Sequence, residues 1–329
     1  MNILITGAAG FIGFHLSQKL LGEGHQVVGV DNLNDYYDVR LKEARLAQLT
    51  PHKNFTFYRE DFSDREAMQA IMLSHQDITH IMHLGAQAGV RHSLTDPYIY
   101  ITSNVMAQTV MLECARLLPR LEHVVYASSS SVYGGNTKLP FSESDRVDHP
   151  VSLYAATKKA CELISHAYGH IYQIPTTGLR YFTVYGPWGR PDMAAYIFAR
   201  KIFAGEPIEI FNHGKMQRDF TYIDDIIAGT VAAIRRTPAV GTPTQVYNLG
   251  NHRSEDLMEF IGMLERAVGH EAQKLFLPLQ PGDVPATYAD ITAAQRDLGF
   301  APITTIAEGI PKFVQWYREY HRIPASAAA

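Results

Sequence analysis

The first thirty residues contain the feature that most restricts the fold of this chain. The apolar run Ile3–Ile5 ends in a turn, and a helical run follows the turn. Three glycines occupy that turn, at Gly7, Gly10 and Gly13, and a second apolar run then ends at Asp31. Continuous apolar runs of this kind are typical of strands that are buried on both faces of a parallel sheet. The order of strand, glycine turn, helix and strand therefore predicts an α/β fold.

The same stretch indicates a class of ligand. Glycines between a strand and a helix let backbone N–H groups and the helix N-terminus approach a pyrophosphate. Asp31 is placed to accept hydrogen bonds from adenosine ribose hydroxyls, and its charge would repel a 2′-phosphate. NAD is therefore favoured over NADP. The simpler alternative is an ordinary glycine-rich turn with a surface aspartate.

Composition argues against several other classes of protein. The 329 residues are 46% hydrophobic and 19% charged, as in a soluble globular protein with room for two domains. The net charge of −4 argues against a nucleic-acid partner, and no apolar stretch is long enough to cross a membrane. Cys114 and Cys161 show no metal-ligand or disulfide pattern, so we expect no metal and a cytoplasmic protein. A strand that starts at Asn2 leaves no room for a signal peptide.

Two further strands supply candidate cofactor contacts. Phe55–Arg59 is predicted as a strand that leads to Asp61 and Phe62. Asp61 is placed either to accept from an adenine amino group, with Phe62 against the base, or to cap the following helix. The strand Thr79–Leu84 is followed by small residues at 85–89, which would let a ligand approach as at the switch point of a doubly wound sheet.

Candidate catalytic side chains follow the next strand, Glu122–Ala127. The hydroxyl-rich run Ser128–Ser131 leaves this strand, and a helix predicted to begin at Ser152 carries Tyr154 and Lys158. Positions four apart lie on one face of a helix. A free phenol has a pKa of about 10, and a nearby ammonium and a nicotinamide cation both stabilise the phenolate that a base near neutral pH requires. The pair is common on helices, but its place after the glycine turn and the serines indicates a catalytic role.

The composition changes after the strand Thr176–Tyr181. Residues 182–192 are rich in glycine, proline and aromatic side chains, and Val246–Leu249 is predicted to return to the main sheet. The predicted organisation is an NAD-binding domain over 1–181, rejoined by about 221–250, a smaller α/β domain over 182–220 and 251–322, and a tail over 323–329.

These motifs together resemble the extended short-chain dehydrogenase/reductase superfamily, in its nucleotide-sugar epimerase branch. The resemblance runs from Met1 to about Tyr320. Its carriers are Gly7, Gly10, Gly13, Asp31, Ser129, Tyr154, Lys158, Arg180-Tyr181-Phe182 and Arg218-Asp219-Phe220.

The resemblance implies a fold, a cofactor and a reaction. The fold would be a Rossmann-type doubly wound parallel sheet with a smaller C-terminal α/β substrate domain, and the cofactor would be NAD. The reaction would be redox-neutral: a sugar C4 hydroxyl is oxidised to a ketone and reduced again on its other face. Ser129 would bond that hydroxyl, Tyr154 would take its proton, and Lys158 would hold the nicotinamide ribose.

The resemblance and the motifs predict the following site residues. The predicted NAD contacts are Gly7, Gly10, Phe11, Ile12, Gly13, Asp31, Asn32, Asp61, Phe62, Leu84, Ala86, Tyr154, Lys158 and Tyr181. The predicted UDP-sugar contacts are Arg91, Ser129, Ser130, Ser131, Thr183, Arg190, Arg218, Gln280 and Asp283. Arg218, Gln280 and Asp283 match family positions near the UDP, although galactose epimerases have Arg at the position of Gln280. Arg91 is either an anion contact or a surface arginine.

Within the branch, the pattern looks most like UDP-glucuronate 4-epimerases. The carriers are residues 31–38, 89–91 and 183–194, and galactose-type enzymes usually have Asn where Thr183 stands. UDP-glucose or UDP-N-acetylhexosamine epimerases are the alternatives. A 4,6-dehydratase has Asp-Glu at the positions of Ser130 and Ser131, and a UDP-glucuronate decarboxylase has Glu at the latter. A non-catalytic NAD sensor would have no need of the serine, tyrosine and lysine.

A glucuronate substrate adds a chemical demand. Oxidation at C4 gives a ketone β to the carboxylate, which is prone to lose CO₂. Neutral hydroxyls can hold that carboxylate near the ring plane without supplying a proton, and residues 129–131 with Thr183 are candidates for this. Arg91 and Arg190 would contact either the carboxylate or the UDP. Alternatively, the serine turn serves only Ser129.

Two long predicted helices bear on assembly. Tyr98–Leu118 and Ser152–Tyr172 follow neighbouring strands. In the resembling family such a pair forms a two-fold four-helix interface, so we expect a homodimer.

Overall fold

The computed structural model describes residues 1–239, 241–280 and 282–324. The strands are β1 Asn2–Thr6, β2 Gln26–Val30, β3 Phe55–Tyr58, β4 His80–His83, β5 His123–Ser129, β6 Thr176–Tyr181, β7 Thr183–Tyr185, β8 Ile208–Ile210, β9 Gln217–Arg218, β10 Phe220–Tyr222, β11 Thr244–Leu249, β12 Glu255–Asp256 and β13 Lys274–Phe276. The helices are α1 Phe11–Gly22, α2 Val39–Leu49, α3 Arg65–Ser74, α4 His92–Thr95, α5 Pro97–Tyr100, α6 Ala107–Ala115, α7 Leu153–Tyr172, α8 Ala194–Phe203, α9 Ile223–Arg235, α10 Leu257–Val268, α11 Thr292–Leu298 and α12 Ile306–His321.

A parallel sheet of seven strands forms the centre, in the order β3-β2-β1-β4-β5-β6-β11. Both of its faces are covered, which explains the continuous apolar runs. Within β1, Ile3 and Ile5 pack on the side of α1 and α9, whereas Leu4 packs on the side of α3 and α6. The strand order reverses between β1 and β4, where a doubly wound sheet leaves a crevice for ligands. The predicted Rossmann-type sheet is confirmed.

The long helix predicted over Tyr98–Leu118 is present, but it is not a regular α-helix along its whole length. The structure has α5, a π-helical turn over Ile101–Met106, and then α6, which ends at Ala115. Asn104 lies in the wide turn and is buried, and its amide bonds both the N–H of Gln87 at 2.8 Å and its C=O at 3.0 Å. The π turn therefore turns a polar side chain inward, where it holds the segment after β4.

The second half of the chain is built from short pieces beside the main sheet. The predicted return of Val246–Leu249 is confirmed, because β11 pairs with β6 along its whole length. Small sheets join β7 to β10, β8 to β13 and β9 to β12. Most of these strands were missed, because a strand of two or three residues shows too little periodicity in the sequence. Helix α11 was missed as well. The division into two domains stays a prediction, and residues 325–329 of the predicted tail lie outside the described residues.

None of the helices in the described ranges combines the length and the apolar character needed to cross a membrane.

Candidate active site

A cavity of about 800 Å³ opens where the carboxyl ends of the central strands meet the second half of the chain. All predicted site residues except Asp61 and Gln280 line it. The described residues bring together no group of three or more His, Cys, Asp or Glu side chains suited to a metal ion. The site is therefore assembled from a backbone turn, hydroxyls and a few charged side chains.

The glycine turn is shaped for close approach of a ligand. Gly7 has φ +70°, and a Cβ on it would lie 2.9 Å from the N atom of Gly85. A Cβ on Gly13 would lie 2.1 Å from the carbonyl oxygen of Gly7, so only glycine fits there. Gly10 is the N-cap residue of α1 and supplies no side-chain acceptor to the first helical turn. The backbone N–H groups at this helix end thus suit a pyrophosphate.

Asp31 lies at the end of β2, beside this turn. Its carboxylate is buried and accepts from the N–H of Leu33 at 2.9 Å and of Ala9 at 3.2 Å. Burial raises the pKa of Asp31, and the positive charges of Lys42 and Arg45 oppose that rise. Each carboxylate oxygen can accept a further hydrogen bond, so Asp31 can still bind ribose hydroxyls.

The two residues predicted near the adenine, Asp61 and Phe62, have different environments. Asp61 accepts from Asn32 Nδ2 at 3.0 Å and from Ser63. The N-cap of α3 is Asp64, which accepts from two backbone N–H groups, so the capping alternative for Asp61 was wrong. Phe62 lines the cavity and packs on Gly85, where any Cβ would lie 2.5 Å from its ring. The contact of Asp61 with adenine stays a prediction.

Tyr154 and Lys158 reach the cavity from the first turns of α7. The helix begins as predicted, because Ser152 is its N-cap and accepts from the N–H of Ala155 at 3.1 Å. Lys158 is buried, and its Nζ donates to the C=O of Ala127 on β5 at 2.9 Å. This bond fixes the ammonium between the helix and the strand that carries the serines.

The four serines after β5 have different environments. Ser128 Oγ donates to Glu162 at 2.7 Å, and Ser129 Oγ accepts from the N–H of Ser131 at 3.2 Å as it starts the 3₁₀ turn Ser130–Tyr133. Ser131 Oγ is buried and has no hydrogen-bond partner among the described residues. A buried hydroxyl without a partner is costly, so it suits a ligand oxygen.

A buried ion pair lies beneath the serine turn. Glu162 on α7 accepts from Arg180 on β6 at 2.8 and 2.9 Å, and Arg180 also donates to the hydroxyl of Tyr133 at 3.0 Å. Tyr133 closes the turn and donates to Asn248 on β11 at 2.7 Å. Burial alone would raise the pKa of Glu162, but the hydrogen bonds and charge of Arg180 outweigh it, and the pKa is lowered.

The arginines predicted to contact the UDP-sugar have protein partners in the structure. Arg91 pairs with Asp283 at 2.9 Å and lies over the ring of Phe211, although it is half exposed. Arg190 forms a two-bond pair with Asp192. Arg218 donates to the backbone C=O groups of residues 217 and 285. The side chain of Gln280 lies outside the cavity lining, and its C=O accepts from the N–H of Asp283 at 3.2 Å.

Sequence reasoning missed four polar residues around the site. These are Tyr36, Arg45, Asn104 and Asp192. Asn104 carried a signal, since a polar side chain interrupts the apolar face of the helix predicted over Tyr98–Leu118. Tyr36 and Asp192 lie within residues 31–38 and 183–194, which carry the family resemblance. Their contact with each other and that of Arg45 with Trp188 join residues far apart in the chain, so no local pattern predicts these contacts.

Comparison with known proteins finds a matching family model and relatives that align with nearly the whole chain. Residues 3–250 match the model of the NAD dependent epimerase/dehydratase family. The probable UDP-glucuronate 4-epimerase of Rhizobium meliloti (strain 1021) is 45% identical over 98% of each chain. UDP-glucuronate 4-epimerase 4 of Arabidopsis thaliana is 46% identical over 100% of this chain and 78% of that protein.

Solved structures agree with these relatives. The crystal structure of UDP-glucuronic acid 4-epimerase from Bacillus cereus in complex with UDP-glucuronic acid and NAD has a TM-score of 0.90 and 37% identity, over 97% of this chain and 100% of that chain. The resemblance inferred from the motifs is confirmed. The chain belongs to the NAD dependent epimerase/dehydratase family.

Proposed function

We propose that this protein interconverts UDP-glucuronate and UDP-galacturonate by NAD-dependent epimerisation at C4. One observation carries the proposal: a single cavity joins the dinucleotide turn and Asp31 to the Tyr154 and Lys158 pair and to a turn of neutral hydroxyls. The relatives named UDP-glucuronate 4-epimerase cover essentially the whole chain, which supports the same activity.

Three side chains carry the reaction in this proposal. NAD held along the glycine turn would supply the redox chemistry: it would accept the C4 hydride and give it back to the opposite face of the ketone. Ser129 Oγ bonds the C4 hydroxyl, and Tyr154 takes and later returns its proton. Lys158, fixed by the C=O of Ala127, places a positive charge near the phenol and the cofactor ribose.

The serine turn supports a uronate substrate. Ser130 and Ser131 stand where the related dehydratases and decarboxylases have acids, and the buried Ser131 Oγ has an unused hydrogen-bonding capacity among the described residues. Together with Thr183, these hydroxyls hold the carboxylate without delivering a proton to an enolate. Arg190 is charge-compensated by Asp192 and lines the same cavity as Tyr154, which supports a role for it near the sugar. Arg91, Arg218 and Asp283 serve the UDP end.

A homodimer is the assembly that the surface supports. Large apolar side chains are exposed on α5, on the π turn and on α7, including Tyr98, Met106, Leu163 and Ile171. Tyr98 alone is 82% exposed. Several large apolar side chains exposed on neighbouring helices are typical of an interaction surface. Packing these helices against those of a second copy would cover it, and light scattering that shows a stable monomer at micromolar concentration would contradict the homodimer.

The two cysteines indicate the cellular location, and the chemistry of the product indicates the pathway that it would serve. Both Cys114 and Cys161 are buried free thiols, which supports a cytoplasmic location. A UDP-uronate is an activated sugar donor, so the product would serve polysaccharide biosynthesis.

The test is a comparison of substrates. The protein is incubated separately with UDP-glucuronate, UDP-glucose and UDP-N-acetylglucosamine, and products are resolved by proton NMR. We expect UDP-galacturonate from the first and slow turnover of the others. Equal or faster epimerisation of UDP-glucose would contradict the substrate assignment, and a UDP-pentose as main product would indicate a decarboxylase.

A further inference from the structure

One buried cation has no part in the proposed chemistry. Arg45 on α2 is 0% exposed, yet its hydrogen-bond acceptors are neutral oxygens rather than a carboxylate, and its Nε has no partner among the described residues. A buried charge costs several kcal/mol before its compensation. A residue with this cost calls for an explanation beyond packing.

The guanidinium joins two distant parts of the cavity wall. Its Nη1 donates to the C=O of Ala9 at 3.0 Å and to the hydroxyl of Tyr37 at 2.8 Å. Its Nη2 donates to the C=O of Trp188 at 2.7 Å and of Gly189 at 3.3 Å. Ala9 lies inside the glycine turn, and its own N–H donates to Asp31 at 3.2 Å. One side chain therefore touches both the dinucleotide turn and the segment that leads to the sugar end.

That segment, Gly186–Asp192, has further contacts with α1 and with the loop before α2. His15 on α1 bonds the C=O of Pro187 at 2.9 Å, and the ring of Trp188 lies 5.6 Å from that of Phe14. Tyr36 donates to Asp192 at 3.2 Å, and Asp192 in turn pairs with Arg190. The position of Arg190 in the cavity thus depends on residues of the dinucleotide half.

Arginine suits this position for a geometric reason. The planar guanidinium presents donors in several fixed directions, so it can bond carbonyls on two sides at once. A lysine ammonium at the end of a flexible chain keeps the charge but cannot hold two carbonyls in a fixed relation.

We propose that Arg45 is a positioning residue that ties the glycine turn to the Gly186–Asp192 segment, so that binding of NAD and binding of the sugar nucleotide reinforce each other. A ligand that orders either wall orders the other through the shared guanidinium. The thermodynamic coupling is then reciprocal between the two ligands. The identity of the sugar nucleotide rests on the proposed function.

The test measures the release of NAD from the purified holoenzyme. Bound NAD is followed after dilution, with and without saturating UDP-glucuronate, in wild type, Arg45→Lys and Arg40→Lys. Arg40 lies on the same helix but is exposed and pairs with the nearby Asp38, so it is the matched control. In wild type and in the control we expect UDP-glucuronate to slow NAD release at least about five-fold. In Arg45→Lys we expect the slowing to fall below about two-fold.

The result that would overturn the inference is a folded Arg45→Lys protein in which UDP-glucuronate protects NAD as well as in wild type. If that variant does not fold, Arg45→Gln provides the test, because a neutral, shorter side chain removes the buried charge and cannot bond the carbonyls on both sides at once. We expect a reduced protection ratio there as well, and an unchanged ratio in folded Arg45→Gln would equally refute the inference. Failure of UDP-glucuronate to bind wild type would instead refute the proposed substrate.

Discussion

Ser128 Oγ donates to Glu162 Oε1 over 2.7 Å, which ties the start of the serine turn to the helix that carries Tyr154 and Lys158. Glu162 lies two turns beyond Tyr154 on α7 and is clamped by Arg180 from β6. The hydroxyl side and the phenol side of the proposed active site therefore share one buried carboxylate.

Glu162→Ala should destabilise the protein strongly, because it leaves the Arg180 guanidinium buried without its counter-charge. We expect a loss of about 3–5 kcal/mol in the free energy of unfolding, measured by urea denaturation. Glu206→Ala, at an exposed pair with Arg200, is the control and should cost about 1 kcal/mol or less. Equal effects of the two substitutions would show that the pair under the serine turn is not a structural anchor.

Tyr154→Phe should abolish most turnover while sugar-nucleotide binding is retained. The substitution removes the proton acceptor and keeps the ring, so we expect a loss of about 10²–10⁴-fold in kcat. Calorimetric titration with UDP-glucuronate checks binding. Tyr172→Phe, at the far end of the same helix, should leave kcat unchanged. Near-normal turnover by Tyr154→Phe would assign the base elsewhere.

Ser131→Ala should loosen the hold on the substrate carboxylate. The lost hydroxyl is buried and unpartnered within the described part of the chain, and one neutral hydrogen bond is worth about 1 kcal/mol. We therefore expect the ratio of UDP-pentose to UDP-galacturonate to rise about five-fold, as read by proton NMR. Ser144→Ala in an exposed loop is the control. An unchanged product ratio would restrict the serine turn to the role of Ser129.

Stability should fall as the pH drops below about 6.5, because several histidines are buried in the neutral form. Burial lowers the pKa of His123 to about 4, and that of His83 to about 3. A folded-state pKa below the unfolded value of about 6.5 means that the stabilisation is complete above pH 6.5 and is lost as the pH falls towards 4.

His123→Gln isolates one such group. Between pH 7.5 and 5.5, the variant should lose about 1.4 kcal/mol less unfolding free energy than wild type, as measured by urea denaturation at each pH. His80, whose ring lies 6.4 Å from that of His123, also has a pKa lowered by burial and remains in both proteins. His52→Gln, at an exposed histidine, should leave the pH dependence unchanged. Parallel curves for wild type and His123→Gln would contradict the assignment.

Sequence patterns predicted the features that depend on residues close together in the chain. The glycine turn, the N-cap at Ser152 and the pair on α7 depend on neighbours within a few residues, and the structure has them where the sequence indicates. Arg45 could not be predicted in the same way. It lies 143 positions from Trp188, and a charged residue in a helix is usually solvated, so its burial follows only from the assembled fold.

The candidate site shows the same limit. The sequence predicted that Ser130 and Ser131 face a ligand. It did not predict that the hydroxyl of Ser128 would donate to Glu162, or that Asp192 would neutralise the charge of Arg190. Asp61 illustrates the opposite error. Its capping alternative was reasonable for an aspartate before a helix, yet Asp64 lies three positions closer to the helix start and is the N-cap.

The pairing of β6 with β11 has a mechanical consequence. The two strands run in parallel with Tyr181 beside Leu249, and the N–H of Phe182 donates to the C=O of Leu249 at 3.1 Å. The chain therefore leaves the sheet twice at one point, first towards β7 and later towards α10. Two connections held side by side bend more easily about the line that joins them than they twist. We therefore expect movement of the segments beyond β6 and β11, relative to the sheet, to follow this bend.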